Sequence, residues 1–181
     1  RHSPISAVVL TNGDIDHIGG LLSLRESQPL TIWASSAVLA QIEANPIFGV
    51  LDRRHVRFET IGPTAAFSPL DGLTMDAFDV PGKVPLYREG EGTPDVTRNG
   101  NTVGMHLRDG HRVVSYVPGC GAIDAQLLDD LKHTDTLLFD GTLWSDDEML
   151  ATRTGGKTGR RMGHVPVSGE DGSMAKLASL R

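Results

Sequence analysis

Cysteine is nearly absent. Cys120 is the single one among 181 residues, so no disulfide can form within the chain, which suits a reducing cytoplasm. Basic residues are in deficit: 17 Lys and Arg stand against 23 Asp and Glu, a formal net charge of −6. A nucleic-acid binder needs a basic face to neutralise phosphates, so the balance argues against that class. No run of about 18 apolar residues is present, so a membrane-spanning helix is not expected. The opening residues carry no basic-then-apolar secretion pattern. Internal repeats and low-complexity tracts are missing too. With 39% hydrophobic and 22% charged residues, the composition is that of one globular domain, or most of one.

What is there centres on Thr11-Asn12-Gly13-Asp14-Ile15-Asp16-His17-Ile18-Gly19-Gly20. An apolar run, Ala7 to Leu10, precedes it and predicts a buried strand over 6–10. Leu21, Leu22 and Leu24 follow at helical spacing and predict a helix ending near Pro29. Three acidic or amide side chains and an imidazole thus stand where a strand gives way to a helix. In extended backbone Asn12 and Asp14 share a face. Asp16 and His17 are adjacent, so both enter one site only if the backbone turns there. Carboxylates and neutral imidazole suit divalent iron, manganese or zinc. The bland reading is a polar turn with an Asp helix cap.

Further along, 30–34 and 56–61 predict strands, and 35–44 a helix with Ser36 as its cap and Val38, Leu39 and Ile42 as its apolar face. This βαβα order indicates a sheet with packed helices. A strand over 73–80 alternates Leu73, Met75 and Ala77 with Thr74, Asp76 and Phe78. A long polar, Gly-rich loop then runs to Gly100, and such loops are functional or disordered. Lys83, Tyr87 and Arg88 in it are candidates to hold an acidic substrate; the alternative is a solvated loop. Strands over 102–107 and 112–117 flank the hairpin signal Asp109-Gly110. His106, within the first of these, reads as a surface or satisfied core residue. Cys120 reads as a soft ligand, a reactive thiol or simply a small buried group.

An amphipathic helix over 122–132 leads to a buried strand, 137–139, that Asp140 closes. If this strand neighbours the first, Asp140 meets Asp14 and Asp16 at their carboxyl ends. Ser145 to Glu148 reads as a capping box, which accounts for Asp146, Asp147 and Glu148 as helix-start residues. Arg153, Lys157, Arg160 and Arg161 make a basic Gly-rich loop, either anion-binding or solvated. His164 lies between Gly163 and a helix expected to be capped by Ser168 with Asp171 three residues on. It is a catalytic candidate, or a packing residue of the loop.

The central motif resembles the metal-ligand motif of the metallo-β-lactamase superfamily, T-H-x-H-x-D-H-x-G-G. Asp16, His17, Gly19 and Gly20 match in place, while Asn12 and Asp14 stand at its first two histidines. In the hydrolases those two hold one of two metals, so simple two-metal hydrolysis is not implied. A bridging Asp near the turn after the 112–117 strand is replaced by Gly119 or Cys120. The run from Leu137 to Trp144, then Met162 to Ser168, is similar to a segment of the transfer-RNA-processing branch.

The combination is narrower. Ser3-Pro4-Ile5, the motif itself, Leu21 to Glu26, Phe139-Asp140-Gly141-Thr142 with Trp144, Asp147-Glu148-Met149 and Met162-Gly163-His164 resemble the pyrroloquinoline quinone (PQQ) biosynthesis protein B family, over nearly the whole chain. The resemblance implies an α/β fold, an αββα sandwich of two mixed sheets with outer helices. Residues 1–181 would be the central part of that single domain, incomplete at both ends. It implies oxidation or hydroxylation of a tyrosine-derived ring in a peptide-derived intermediate, with Fe(II) and dioxygen.

On that reading Asp16, His17 and Asp14 are metal candidates, and His164 and Asp140 catalytic candidates. Lys83, Tyr87, Arg88, Arg160 and Arg161 are substrate-binding candidates. Zinc is an alternative metal, including a structural zinc in an N-terminal region of the family that precedes this point. Partners would be the PQQ precursor and other PQQ biosynthesis proteins, with a homodimer left open, in the cytoplasm. Two other functions stay open: a non-catalytic carrier that moves PQQ or its precursor towards export, and a metal-dependent hydrolase.

Overall fold

The computed structural model describes residues 3–24, 27–62, 64–90 and 95–180. Arg25 and Glu26, which close one family-like block, and 91–94 of the Gly-rich loop fall outside the described residues.

Two sheets pack face to face. The first holds β1 (Ala7–Val9), β2 (Leu30–Ala34) and β3 (Val56–Thr60), all parallel, in the order β1-β2-β3. The second holds β4 (Phe67–Leu70), β5 (Leu73–Asp79), β6 (Val103–Arg108), β7 (Val113–Val117) and β8 (Thr136–Phe139) in sequence order. Its pairs are antiparallel except β7 and β8, which run parallel. Among the described residues no helix is long and apolar enough to cross a membrane.

Alternation along each strand builds three apolar layers. Leu30, Ile32 and Ala34 of β2 face Val38, Leu39 and Ile42 of α2 (Ser36–Glu43). Trp33, from the opposite face of β2, joins Met75, Ala77 and Met105 between the sheets. Phe78, Val80 and Val117 face Ile123, Leu127 and Leu131 around α3 (Ala125–Asp130) on the far side. The order helix, sheet, sheet, helix is the expected αββα sandwich, except that the first sheet, expected to be mixed, is all parallel among the described residues.

Several local expectations are corrected. Ser35, not Ser36, caps α2: its hydroxyl accepts from Val38 N at 3.2 Å. The helix expected to reach Pro29 is one turn, α1 (Ile15–Ile18), followed by a 3-10 turn over Gly19–Ser23. Two consecutive glycines carry a high entropic cost in a helix, which explains the early stop. The helix over 122–132 is shorter, with Asp124 accepting from Leu127 N at 2.8 Å as its cap. No strand is expected over 67–70 from the sequence, yet β4 forms there; it lies on a sheet edge, where the N–H that Pro69 lacks is not needed.

His106 is a satisfied core residue. Its Nδ1 lies 2.7 Å from Ser115 Oγ, and its ring stacks on Phe78 with centroids 4.5 Å apart. Burial pushes its pKa below the ordinary value; Asp76 and Asp130 pull upward and Arg108 downward. A depressed histidine pKa means the unfolded chain binds the proton better. The stability is therefore complete above the unfolded value, about 6.5, and is lost as pH falls through the folded value. Urea midpoints between pH 7 and 5 are expected to fall more steeply in wild type than in His106→Asn. Equal slopes would remove His106 as the titrating group.

Candidate functional site

The motif loop is held where the sheets meet. Thr11 O accepts from Val103 N at 2.8 Å, and Asn12 forms an isolated bridge with Thr102. Buried Asn12 then turns the chain, its Oδ1 accepting from Asp14 N at 3.0 Å. That turn sets Asp14 as the extended N-cap of α1, yet its carboxylate makes no cap bond. Gly13 is closely packed: a Cβ there would lie 1.8 Å from Gln41 Oε1, so the Gln41 side chain would have to shift.

Asp14, Asp16, His17, Lys83, Tyr87 and His164 all line one cavity of about 680 Å³. That falls within the roughly 300–1,000 Å³ of small-molecule sites. The turn at α1 is what lets neighbours Asp16 and His17 share it. His17 Nε2 lies 3.9 Å from Asp16 Oδ2, and its Nδ1 lies 3.4 Å from Thr11 Oγ1. The Asp16 side chain is 83% exposed and that of His17 24%.

Asp140 and His164 form the most constrained pair. β8 pairs with β7 in the second sheet and does not neighbour β1, so Asp140, which follows it, does not meet Asp14 and Asp16 at adjacent strand ends; its side chain is 0% exposed. Its Oδ2 accepts from His164 Nδ1 at 2.6 Å and Cys120 N at 3.0 Å; Oδ1 accepts from Thr142 N at 3.1 Å and Thr142 Oγ1 at 2.7 Å. The bond from Asp140 raises the His164 pKa, against a downward pull of burial, and Asp14 adds to the rise. For Asp140, burial pushes the pKa up, but the bond and charge of His164 and the Thr142 bonds leave it lowered. Both directions favour an imidazolium–carboxylate pair. With Nδ1 engaged, Nε2 is the ring nitrogen left to serve the cavity.

Gly82, Lys83, Leu86 and Tyr87 add a further part of the lining. Tyr87 OH donates to Gly13 O at 3.1 Å, tying this loop to the motif. Burial and the charge of Asp14 raise its pKa, against Arg88. Lys83 Nζ lies 2.7 Å from Glu89 Oε1, and Glu89 Oε2 takes Arg161 Nη1 at 3.0 Å. Arg88, Arg160 and Arg161 do not line the cavity; the first two are exposed, and Arg161 is held by Glu89. Lys157 lines it beside Gly155 and Gly156.

The expected capping boxes are corrected. α4 is Glu148–Ala151, and Ser145 bonds Asp147 rather than capping it. Glu148 Oε2 reaches back to Trp144 N, while Asp146 Oδ1 accepts from Arg160 N at 2.8 Å, at the start of α5 (Gly159–Met162). Ser168 donates to Trp144 O; α6 (Ser173–Leu177) starts from Gly172 without a side-chain cap. Cys120 is packed as a small buried group: burial pushes its thiol up to about 12, and Sγ donates to Ala122 O. Sequence reasoning missed Thr142, whose Asp-x-Thr spacing is a turn signal, and Glu89, for which no local signal exists.

The donor types fit a divalent ion, but their placement alone makes no cage. Among the described residues no three His, Cys, Asp or Glu side chains gather to hold a metal.

A family model described as the β-lactamase superfamily domain matches residues 1–180. The chain belongs to that superfamily. It is 53% identical over 181 residues to the coenzyme PQQ synthesis protein B of Rhizobium meliloti, across 99% of this chain and 59% of that one. The protein of the same description from Ruegeria pomeroyi is 48% identical, across 99% of this chain and 61% of that one. The crystal structure of Zn(2+)-bound PqqB from Methylobacterium extorquens superposes with a TM-score of 0.95 at 43% identity, covering 99% of this chain and 60% of that one. The resemblance drawn from the short motif blocks thus holds along the chain, which spans about three-fifths of these relatives' length.

Proposed function

We propose that this chain is the core of a PQQ biosynthesis protein that oxidises or hydroxylates a tyrosine-derived ring of a peptide-derived intermediate, using non-haem iron and dioxygen. The observation that carries it is the convergence of Asp14, Asp16, His17 and His164 on one cavity of about 680 Å³. Support comes from relatives described as PQQ synthesis proteins, and from the zinc bound by the related crystal structure. Asn12 and Asp14, standing where the hydrolases place histidines, favour a redox role over two-metal hydrolysis.

Asp16 and His17 are the residues this chain offers to an ion, Fe(II) in this reading and zinc as its competitor. Bound iron would supply the activation of dioxygen. The chain's own part is binding and proton handling. Ile15, Leu86, Met149 and Met162 give the cavity an apolar wall for a ring. His164, oriented through Nδ1 by Asp140, holds or takes a proton at Nε2. Other PQQ biosynthesis proteins would deliver the precursor.

The test is product formation by full-length protein with the precursor, in air and without oxygen. Product only in air is the expected result. Tight binding of PQQ or precursor without product in either condition would assign the carrier function instead. A cleaved but unoxidised precursor, formed equally in air and without oxygen, would point to hydrolysis.

A further inference from the structure

Two carboxyl oxygens of one residue join two segments that border the cavity. Glu89 meets Lys83 Nζ at 2.7 Å with one oxygen and Arg161 Nη1 at 3.0 Å with the other. Its side chain is 7% exposed and that of Lys83 9%. Arg161 sits in α5, whose left-handed cap Gly163 (φ 90°) immediately precedes His164. The stem of Lys83 lies against that same glycine, close enough that a Cβ there would sit 3.0 Å from Lys83 Cγ and Cδ. His164 N donates to Gly159 O at 2.9 Å, so the imidazole rides on the α5 turn. The loop bearing Glu89 is tied through Tyr87 to Gly13 of the motif.

We infer that Glu89 is a positioning residue: through Lys83 and Arg161 it clasps the His164 turn to the loop that supports the Asp14–His17 motif. Neither cation it holds is then simply a free hand for substrate. Removing the carboxylate leaves Lys83 poorly solvated and without its bond to Glu89, an arrangement that relaxes by local opening. The inference rests on the reading of this cavity as the reaction site only for its effect on turnover.

Two readouts keep the two apart, both on full-length protein. Hydrogen exchange in Glu89→Gln is expected to speed up about tenfold or more at residues 159–165 and 83–90, with the centres of β2 and β6 unchanged. Turnover of the precursor is expected to drop about a hundredfold in kcat with little change in KM, the scale of a small misplacement of reacting groups. Glu89→Asp, which keeps the charge, should recover much of both. Unchanged exchange at 159–165 overturns the clasp. So does uniform acceleration with a lowered unfolding midpoint, which would make Glu89 a general stabiliser. Faster local exchange in Glu89→Gln, paired with Asp140→Asn at wild-type turnover, keeps the clasp and discards the site reading.

Discussion

Full-length protein purified without oxygen is expected to carry about one iron per chain, and to lose it when Asp16 or His17 becomes alanine. The reasoning begins with what these side chains do not do. The Asp16 side chain is 83% exposed, its nearest polar contact among those described being His17 Nε2 at 3.9 Å. Alanine there removes almost no packing, and such surface changes cost little stability. Loss of metal could therefore not be blamed on unfolding. His17 is more enclosed, with Thr11 Oγ1 only at 3.4 Å from Nδ1, so its ring is not locked into the fold either. A ligand set that loses one of its few donors loses most of its affinity, and iron content should fall to below about a tenth of wild type. Turnover should go with it. Asp171→Ala is the control, since that side chain is 81% exposed and far along the chain in α6's approach. Elemental analysis and an unfolding curve on each variant decide the matter. Wild-type iron in Asp16→Ala and His17→Ala would return Asp14, Asp16 and His17 to the status of turn residues. No metal at all in the wild-type protein would favour the carrier reading instead.

Asp140→Asn is expected to reduce turnover by about a hundredfold or more, without emptying the metal site. The change keeps the shape and reverses the hydrogen bonding. The carboxylate accepts from His164 Nδ1, Cys120 N, Thr142 N and Thr142 Oγ1. An amide offers one oxygen and one NH2 in the same place. Whichever way it turns, its NH2 confronts a donor, either Cys120 N–H or Thr142 N–H. That leaves a buried donor unmet, at a cost of about 1–3 kcal/mol. If the NH2 faces His164, Nδ1 must accept, and the ring proton moves to Nε2. The raised pKa of His164, due first to its bond with Asp140, is lost as well. The imidazole then presents the wrong protonation to the cavity. Kinetics and denaturant midpoints measured together separate the two effects. A drop in kcat no larger than the lost stability can explain, with no change in its pH profile, would reduce Asp140 to a structural residue.

Patterns along the chain were enough for the elements whose chemistry is local. The alternation of Leu30, Ile32 and Ala34, and the periodic Val38, Leu39 and Ile42, specify β2 and α2 because each pattern has one face to bury. Asp109-Gly110 specifies the β6–β7 hairpin in the same way, Gly110 taking φ 94°. The motif blocks were specific enough to show the superfamily and the PQQ relatives. Local signals misled where two of them competed. Gly19 and Gly20 shortened a helix that leucine spacing favoured, and β4, unforeseen, tolerates Pro69 because it lies on a sheet edge. Capping boxes at Ser145 and Ser168 failed because each hydroxyl found a partner that the expected box did not include: Asp147 for Ser145, and Trp144 O for Ser168.

The candidate site divides along the same line. Residue types, their placement at element ends and the family resemblance together nominated Asp16, His17, Asp140 and His164. Their meeting was decided only by tertiary structure. Asp140 and His164 are 24 positions apart, Tyr87 and Gly13 are 74 apart, and Glu89 and Arg161 are 72 apart. Glu89 was illegible because nothing near it in sequence explains a carboxylate there; its partners come from its own loop and from α5. Local patterning tells which face of a segment seeks burial. Which distant side chains are brought into reach depends on how the two sheets stack and how the loops close over their ends, and that is a property of the whole chain.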